Sequence, residues 1–384
     1  MHSPDQRSPL SSSSSRSGLS RRAFLLTGAA AGAVVGLAGA PAQAASRRRP
    51  FGPYGWPAAR RSPQTLYVDP QGRGDYTTVQ AAVTATTGSG WIIVLARGTY
   101  RETVTVDASR TEMTWIGATG NARDVAVVFD NAAGTQKPDG SGTYGTSGSA
   151  TTTLRADGFT ARRITFANDW LRADHPGVSG TQAVAIKVMG DRSAFHHCRF
   201  LGHQDTLYAD STALAAFARQ YFSHCYVEGD VDFVFGRATA VFEHCRFHAL
   251  NRTDLSGGPY GFVFAPSTAR ANPHGYLVVR CRITSEAPDG YYKLARPWVP
   301  SSDITAWPSL TVRDTWIGPG IDAAAPYANM RDDYPWQEQR FAEYRNTGPG
   351  AKIVITQNRP QLTPQEAAQY TPRTYLGDWR PYKH

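Results

Sequence analysis

Long helical stretches are scarce in this sequence, too few for the crossovers that an alternating α/β fold places between parallel strands. No helix-turn-helix or zinc-finger pattern occurs either. The formal charge of +9 would draw any polyanion, so by itself it is no mark of nucleic-acid binding. An acidic polysaccharide satisfies the same sign. Clusters of acids able to cage calcium are missing. The one extended apolar run lies near the N-terminus, is rich in glycine and closes on Pro41, features that argue against a membrane span.

That run belongs to a leader. Ser20-Arg21-Arg22-Ala23-Phe24-Leu25-Leu26 is a twin-arginine motif, an Ala/Gly/Val stretch follows, and Ala42-Gln43-Ala44 has the small residues of a signal-peptidase site. Residues 1–44 are therefore expected to be a twin-arginine signal peptide, giving a secreted protein exported already folded. The leader holds four arginines and one aspartate, so the rest of the chain carries +6. Much of that charge sits in Arg47, Arg48, Arg49, Arg60 and Arg61, within a basic, Pro-rich linker over residues 45–63. A single domain is expected over residues 64–384.

Short β-prone runs recur through that domain, among them residues 91–95, 113–116, 125–129, 184–188 and 276–279, separated by Gly, Asn and Asp. Only four cysteines occur, and they mark a repeat. His196-His197-Cys198-Arg199-Phe200, Ser223-His224-Cys225-Tyr226-Val227, Glu243-His244-Cys245-Arg246-Phe247 and Val279-Arg280-Cys281-Arg282-Ile283 share one pattern, with 27, 20 and 36 residues between cysteines. Self-similarity of that period built from strands predicts an all-β fold, a right-handed parallel β-helix. Each Cys shares a face with the apolar residue two places on, so the thiols face the core. The neighbouring histidines point the other way, which directs them apart from the thiols and excludes a zinc site. Toward the C-terminus, Thr363 and Pro364 give a helix start, and the short helix they open is expected to hide a sheet edge.

Asp205 and Asp232 stand seven residues after Cys198 and Cys225. Counting alternation from the cysteines puts both acids outward on the same side of successive coils, with backbones roughly 5 Å apart. Two carboxyls so placed cannot both ionise freely, and one pKa is expected to rise while the other falls. Gly202 and Gly229 are the points where a turn would break the count.

At these acids the chain resembles the pectin methylesterases. Gln204-Asp205-Thr206-Leu207-Tyr208, Glu228 to Gly236 (EGDVDFVFG), Leu294-Ala295-Arg296-Pro297-Trp298, Gly180 to Ala185 (GTQAVA) and Gly142 to Thr151 (GTYGTSGSAT) look like that family's signatures in the family's order, and Leu376 to Trp379 (LGDW) matches bacterial members. The resemblance implies that Asp232 is a nucleophile paired with Arg296, and Asp205 the proton donor and then base. It makes Gln204 and Gln182 oxyanion donors, 22 residues apart and so about one coil. Substrate contacts implied are Thr146, Tyr208, Phe235, Arg252, Trp298 and Ser301, the last where the family often has Thr. The substrate would be methylated polygalacturonate, with no cofactor, no metal, no nucleic-acid or membrane partner, and a monomer as the expected state. Stacked rungs also bring cysteines within Cα reach of a disulfide. Cys225 and Cys245 are the best-placed pair, which the resemblance favours too, leaving Cys198 and Cys281 reduced.

His203, Asp230 and Ala295 depart from the family's usual aromatic, Thr and Gly at those places, and Asp230 adds a third acid beside the pair. Two other classes fit a β-helix with surface acids. A polysaccharide lyase would need calcium and a glycosidase acids astride a glycosidic bond, while a silent polyuronate-binding protein would need no Asp205, Asp232 and Arg296 together.

Overall fold

The computed structural model describes residues 64–382. The leader, the linker and the last two residues named above lie outside that range. From Thr65–Val68 onward the chain winds through three parallel sheets of ten, eight and seven strands, and every one of the registered strand pairs is parallel. One turn of the coil can be followed along Ser193–His196, Arg199–Leu201 and Leu207–Ala209, one short strand in each sheet. The next turn repeats it directly above, with Phe195 opposite Phe222, Phe200 opposite Val227 and Tyr208 opposite Phe235. This is the parallel β-helix that the cysteine repeat predicts.

In-register stacking puts like on like inside the coil. Phe195 and Phe222 stack at 4.9 Å between ring centroids, and Phe222 and Phe242 at 4.7 Å. All three rings are fully buried. Such stacks add about 0.5–1.5 kcal/mol per pair beyond the area they bury. Truncating the middle ring, Phe222→Ala, leaves a void that neighbours held by two sheets cannot fill. We expect a loss of about 3–5 kcal/mol, read as a lower denaturant midpoint at unchanged slope; a midpoint matching the parent would mean that the column is not what holds the coils.

The helix Val79–Ala85 buries Val79, Ala82 and Val83 against the first strands. At the other end the expected helix is two short ones, Pro364–Ala367 behind a Thr363 capping box and Pro372–Leu376. The stretch leading into the first does cover an edge, since Gln361 bridges Glu343 of Arg340–Tyr344, the end strand of the ten-stranded sheet. Tyr375 and Leu376 of the second pack on the outer face of that sheet, against Tyr221, Val241 and Leu277. Those three strand residues point away from the core and are apolar, so a face needed covering.

The expected Cys225–Cys245 disulfide is absent: all four cysteines are free and buried. Each thiol has backbone carbonyls to donate to, Cys225 to Phe195 and Ser223, and Cys245 to Phe222 and Glu243. The reason is geometric. Residues stacked in register on parallel rungs keep their Cα–Cβ bonds parallel, so Cβ atoms remain near the strand spacing of about 4.8 Å. A disulfide needs about 3.8 Å between them. Closeness of Cα atoms on stacked rungs does not bring the sulfurs into bonding geometry.

Candidate active site

The corner between the eight-stranded and seven-stranded sheets carries the two acids. Asp205 lies between Arg199–Leu201 and Leu207–Ala209, and Asp232 between Tyr226–Gly229 and Val234–Gly236. Neither is on a strand. Both adopt left-handed backbone, φ 65° and 50°, which aspartate tolerates better than most residues. His197, His224 and His244 hold the same conformation at another corner, so it is the coil's way of turning and no special strain of the site. The Asp205 N–H donates to the Val231 carbonyl, 3.0 Å, which stacks one corner on the other. Gly229 permits that closeness: a Cβ there would stand 2.5 Å from the His203 carbonyl oxygen and 2.7 Å from Thr206 Oγ1.

Arg296 follows the strand Tyr292–Ala295 and clamps Asp232 with two bonds, Nε to Oδ1 at 2.9 Å and Nη2 to Oδ2 at 2.6 Å. Its guanidinium lies 4.1 Å from the centroid of the Phe262 ring. Asp205 has no hydrogen bond to its carboxyl among the described residues, and like Asp232 it is more than nine-tenths buried. Burial, reinforced by the charge of Asp232, pushes the Asp205 carboxyl well above the usual range. Burial also raises Asp232, but the hydrogen bonds and charge of Arg296 pull it back. The pair is therefore not split into one raised and one lowered group, because desolvation acts on both; the split is one of degree, with Asp205 the readier to hold a proton.

Asp230 supplies a feature no spacing revealed. It is fully buried and takes both arms of Arg172, each at 2.7 Å, with His203 Nδ1 3.4 Å away. Burial opposes its charge, yet the bonds from His203 and Arg172 prevail and hold this carboxyl well below the usual carboxylate range. Two of the unusual residues, His203 and Asp230, thus form one cluster with an arginine 58 residues upstream of the acid. Its charge raises both Asp205 and Asp232. Replacing Asp230 by Thr removes that charge and leaves Arg172, which favours the ionised form of Asp205. Both carboxyls should then titrate lower, moving the whole pH–rate profile to lower pH. Superimposable profiles would show the cluster to be electrostatically silent.

Gln182 and Gln204 sit on adjacent coils, joined by the Ala183 N–H donating to the Gln204 carbonyl at 3.0 Å. Thr181 Oγ1 donates to Gln204 Oε1 at 2.6 Å, which leaves the Gln204 amide N–H pair without an acceptor among the described residues. Tyr208, Phe235 and Trp298 come together on the outer face of the seven-stranded sheet. The first two stack at 4.1 Å, and Trp298 stands 6.1 and 5.7 Å from them. Thr146 lies in the turn Gly145–Gly148, beside Ser147, which accepts from Lys187 Nζ at 2.7 Å. That ammonium lies 4.6 Å from the centroid of the Tyr208 ring. Arg252 is not open: Asp254 holds its fork at 2.7 and 2.6 Å. Ser301 is exposed, and no bond ties it to the cluster. Sequence reasoning missed Arg172, Thr181 and Lys187, none of which lies in a motif that names its partner. Among the described residues no group of three or more His, Cys, Asp or Glu could hold a metal ion.

Two raised carboxyls at one corner, an arginine fixing one of them and amide donors on the coil beside them can perform acyl transfer. The profile of the pectinesterase family matches residues 65–378. A pectinesterase from Ralstonia solanacearum is 32% identical over 316 residues, covering 74% of this chain and 79% of that relative. Among solved structures, a pectin methylesterase from Erwinia chrysanthemi superposes with a TM-score of 0.72 at 30% identity, over 82% of this chain and 97% of the other. A pectin methylesterase crystallised with a hexasaccharide gives 0.73 at 29% identity, over 83% and 98%.

Proposed function

The chain belongs to the pectinesterase family of carboxylic ester hydrolases, and we propose that it hydrolyses the methyl esters of galacturonate units in pectin, with Asp232 as nucleophile and Asp205 as acid and base. One observation carries the assignment: Arg296 clamps Asp232 through both oxygens, while Asp205, one coil away, has no such partner. The clamped carboxylate stays ionised and oriented. The unclamped one retains its proton.

In the first step Asp232 Oδ attacks the ester carbonyl carbon, and the carbonyl oxygen becomes an oxyanion that the amide N–H groups of Gln204 and Gln182 stabilise. The bond to methoxy oxygen then breaks, the Asp205 proton passes to it, and methanol leaves an acyl anhydride on Asp232. Asp205, now ionised, takes a proton from water as that water attacks the anhydride carbonyl. Collapse frees the uronic acid and returns Asp232 as carboxylate and Asp205 as acid. In this reading the half-buried Trp298, packed against the buried rings of Tyr208 and Phe235, offers an apolar face to a sugar ring, and Thr146, Arg252 and Ser301 are the further contacts that the family resemblance implies. For Arg252 to meet a substrate carboxylate, that group must displace Asp254.

Residues 1–44 act as an export signal and 45–63 as a linker in this reading, supported by the twin-arginine motif and the Ala42-Gln43-Ala44 site. No described helix is long and apolar enough to cross a membrane. Incubation with methylated pectin in the presence of a calcium chelator should release methanol and no unsaturated sugar. Unsaturated product would make the protein a lyase, shortened chains without methanol a glycosidase, and binding without either a silent receptor.

A further inference from the structure

The histidines of the cysteine repeat take no part in the reaction, yet they are arranged. His197, His224 and His244 turn the corner between the ten-stranded and eight-stranded sheets, one coil above another, with φ of 55°, 54° and 54°. Their rings stack at 5.0 Å in each step. Arg163 occupies the same corner one coil before His197 and is exposed. A pocket opens beside them, lined by Arg123, Arg163, Arg199, His197, His224 and Tyr226, and no carboxylate is part of its wall.

Three arginines in one concave wall, with the rings of His197 and His224 beside them, repel one another unless an anion joins them. None of the three arginines has a salt bridge among the described residues. Arg199 is half-buried on the Tyr226 ring, 5.2 Å from its centroid, where burial and the charge of Arg123 outweigh the support that Glu228 and Tyr226 give its own charge. From these observations we infer that the corner is a second polyanion site, which takes a demethylated, carboxylate-bearing stretch of polygalacturonate outside the catalytic groove.

The chemistry of the wall favours a uronate over a nucleic acid. Guanidinium forks match carboxylates two bonds at a time, and three of them in one wall suit a polymer with one carboxylate per sugar. Base stacking would need a bare aromatic face. Tyr226 has none, since Arg199 and Arg246 flank its ring and its hydroxyl donates to Glu228. The ligand is the product of the proposed reaction, so this inference rests on that reading. The geometry also links the two sites. Arg199 opens the strand Arg199–Leu201, and Asp205 stands on the same coil at the corner beyond the other end of that strand. A chain leaving the groove demethylated has an anion-binding corner on the adjacent face, and its capture there would hold the enzyme on a polymer it has begun to convert.

Isothermal titration with a long, fully de-esterified oligogalacturonate at low salt tests this. The parent should show two classes of site. Arg123→Gln with Arg163→Gln, both exposed positions, should weaken one class roughly tenfold, as expected for two exposed ion pairs, while Trp298→Ala weakens the other. A near-ultraviolet spectrum matching the parent secures the fold of the arginine variant, and an unchanged far-ultraviolet spectrum and thermal midpoint that of Trp298→Ala, which loses an aromatic ring. Unchanged affinity and stoichiometry in the double arginine variant would overturn the site, as would duplex DNA competing at that class more strongly than the uronate. Methanol release is measured on the same preparations: an inactive parent with the arginine-dependent class intact sinks the esterase reading and leaves the anion site standing.

Discussion

Replacing Asp232 with asparagine should give a folded protein that releases methanol at least about a thousandfold more slowly, the scale on which removing a nucleophile acts. The amide has nearly the shape of the carboxylate, so the corner at Val231 and the stacking beneath it should persist. Its nitrogen cannot form the anhydride. It also turns a donor toward Arg296, which now makes its two bonds to Asp232 at 2.9 and 2.6 Å. Arg296→Lys is the informative companion. A lysine restores the charge but not the fork, and should lose much less than the asparagine variant, with most of the loss in kcat. The measurement is initial methanol release from highly methylated pectin, with circular dichroism to establish the fold. A variant keeping a tenth or more of parental turnover would remove Asp232 from the role of nucleophile.

Much of this arrangement is legible in the chain because a coil repeats. Cys198, Cys225, Cys245 and Cys281 announce the rungs, and everything at a fixed offset from them stacks: the phenylalanines inward, the histidines at a corner, Asp205 and Asp232 at the next. Strand alternation is nonetheless the wrong reason for the position of the acids. They share a side because both turn a corner in left-handed backbone, at equal distance from equivalent cysteines. Contacts that do not repeat were not legible. Arg172 reaches Asp230 from the short 3-10 helix Arg172–Asp174 on another coil, Asp254 covers Arg252 from two residues away, and the last helix settles on Tyr221 and Leu277. Each depends on how a side chain of particular length crosses from loop to coil, which no period encodes. The disulfide failed for a related reason: proximity of rungs is a property of backbone, whereas bond formation depends on the direction of Cβ.

Asp205→Asn should cost about 10² to 10⁴ in turnover, the range of a lost general acid and base, and should at the same time stabilise the protein at neutral pH. Both effects come from the same burial. Asp205 has its carboxyl pushed up by desolvation and by Asp232, and among the described residues no hydrogen bond compensates for the charge. A carboxyl whose folded pKa is raised binds its proton more tightly folded than unfolded. Its contribution to stability is then fully present below the unfolded pKa, about 3.9 for Asp, and is lost as pH rises through the folded value. At neutral pH the parent pays in stability for keeping an ionisable group there, and asparagine, which cannot ionise, removes that dependence. Thermal unfolding at several pH values should show the variant and parent converging in acid and separating in favour of the variant above it, while methanol release stays low throughout. A variant less stable than the parent at neutral pH would mean that the Asp205 carboxylate is a bonded structural group, and its assignment as the acid would fail with it. The opposite slope belongs to Asp230, whose depressed carboxyl contributes stability above its unfolded pKa and loses it as pH falls through the folded one. Two acids 25 residues apart in sequence thus take opposite protonation states, and the difference lies in surroundings: Arg172 and His203 for one, and for the other burial beside Asp232 with no hydrogen bond to its carboxyl among the described residues.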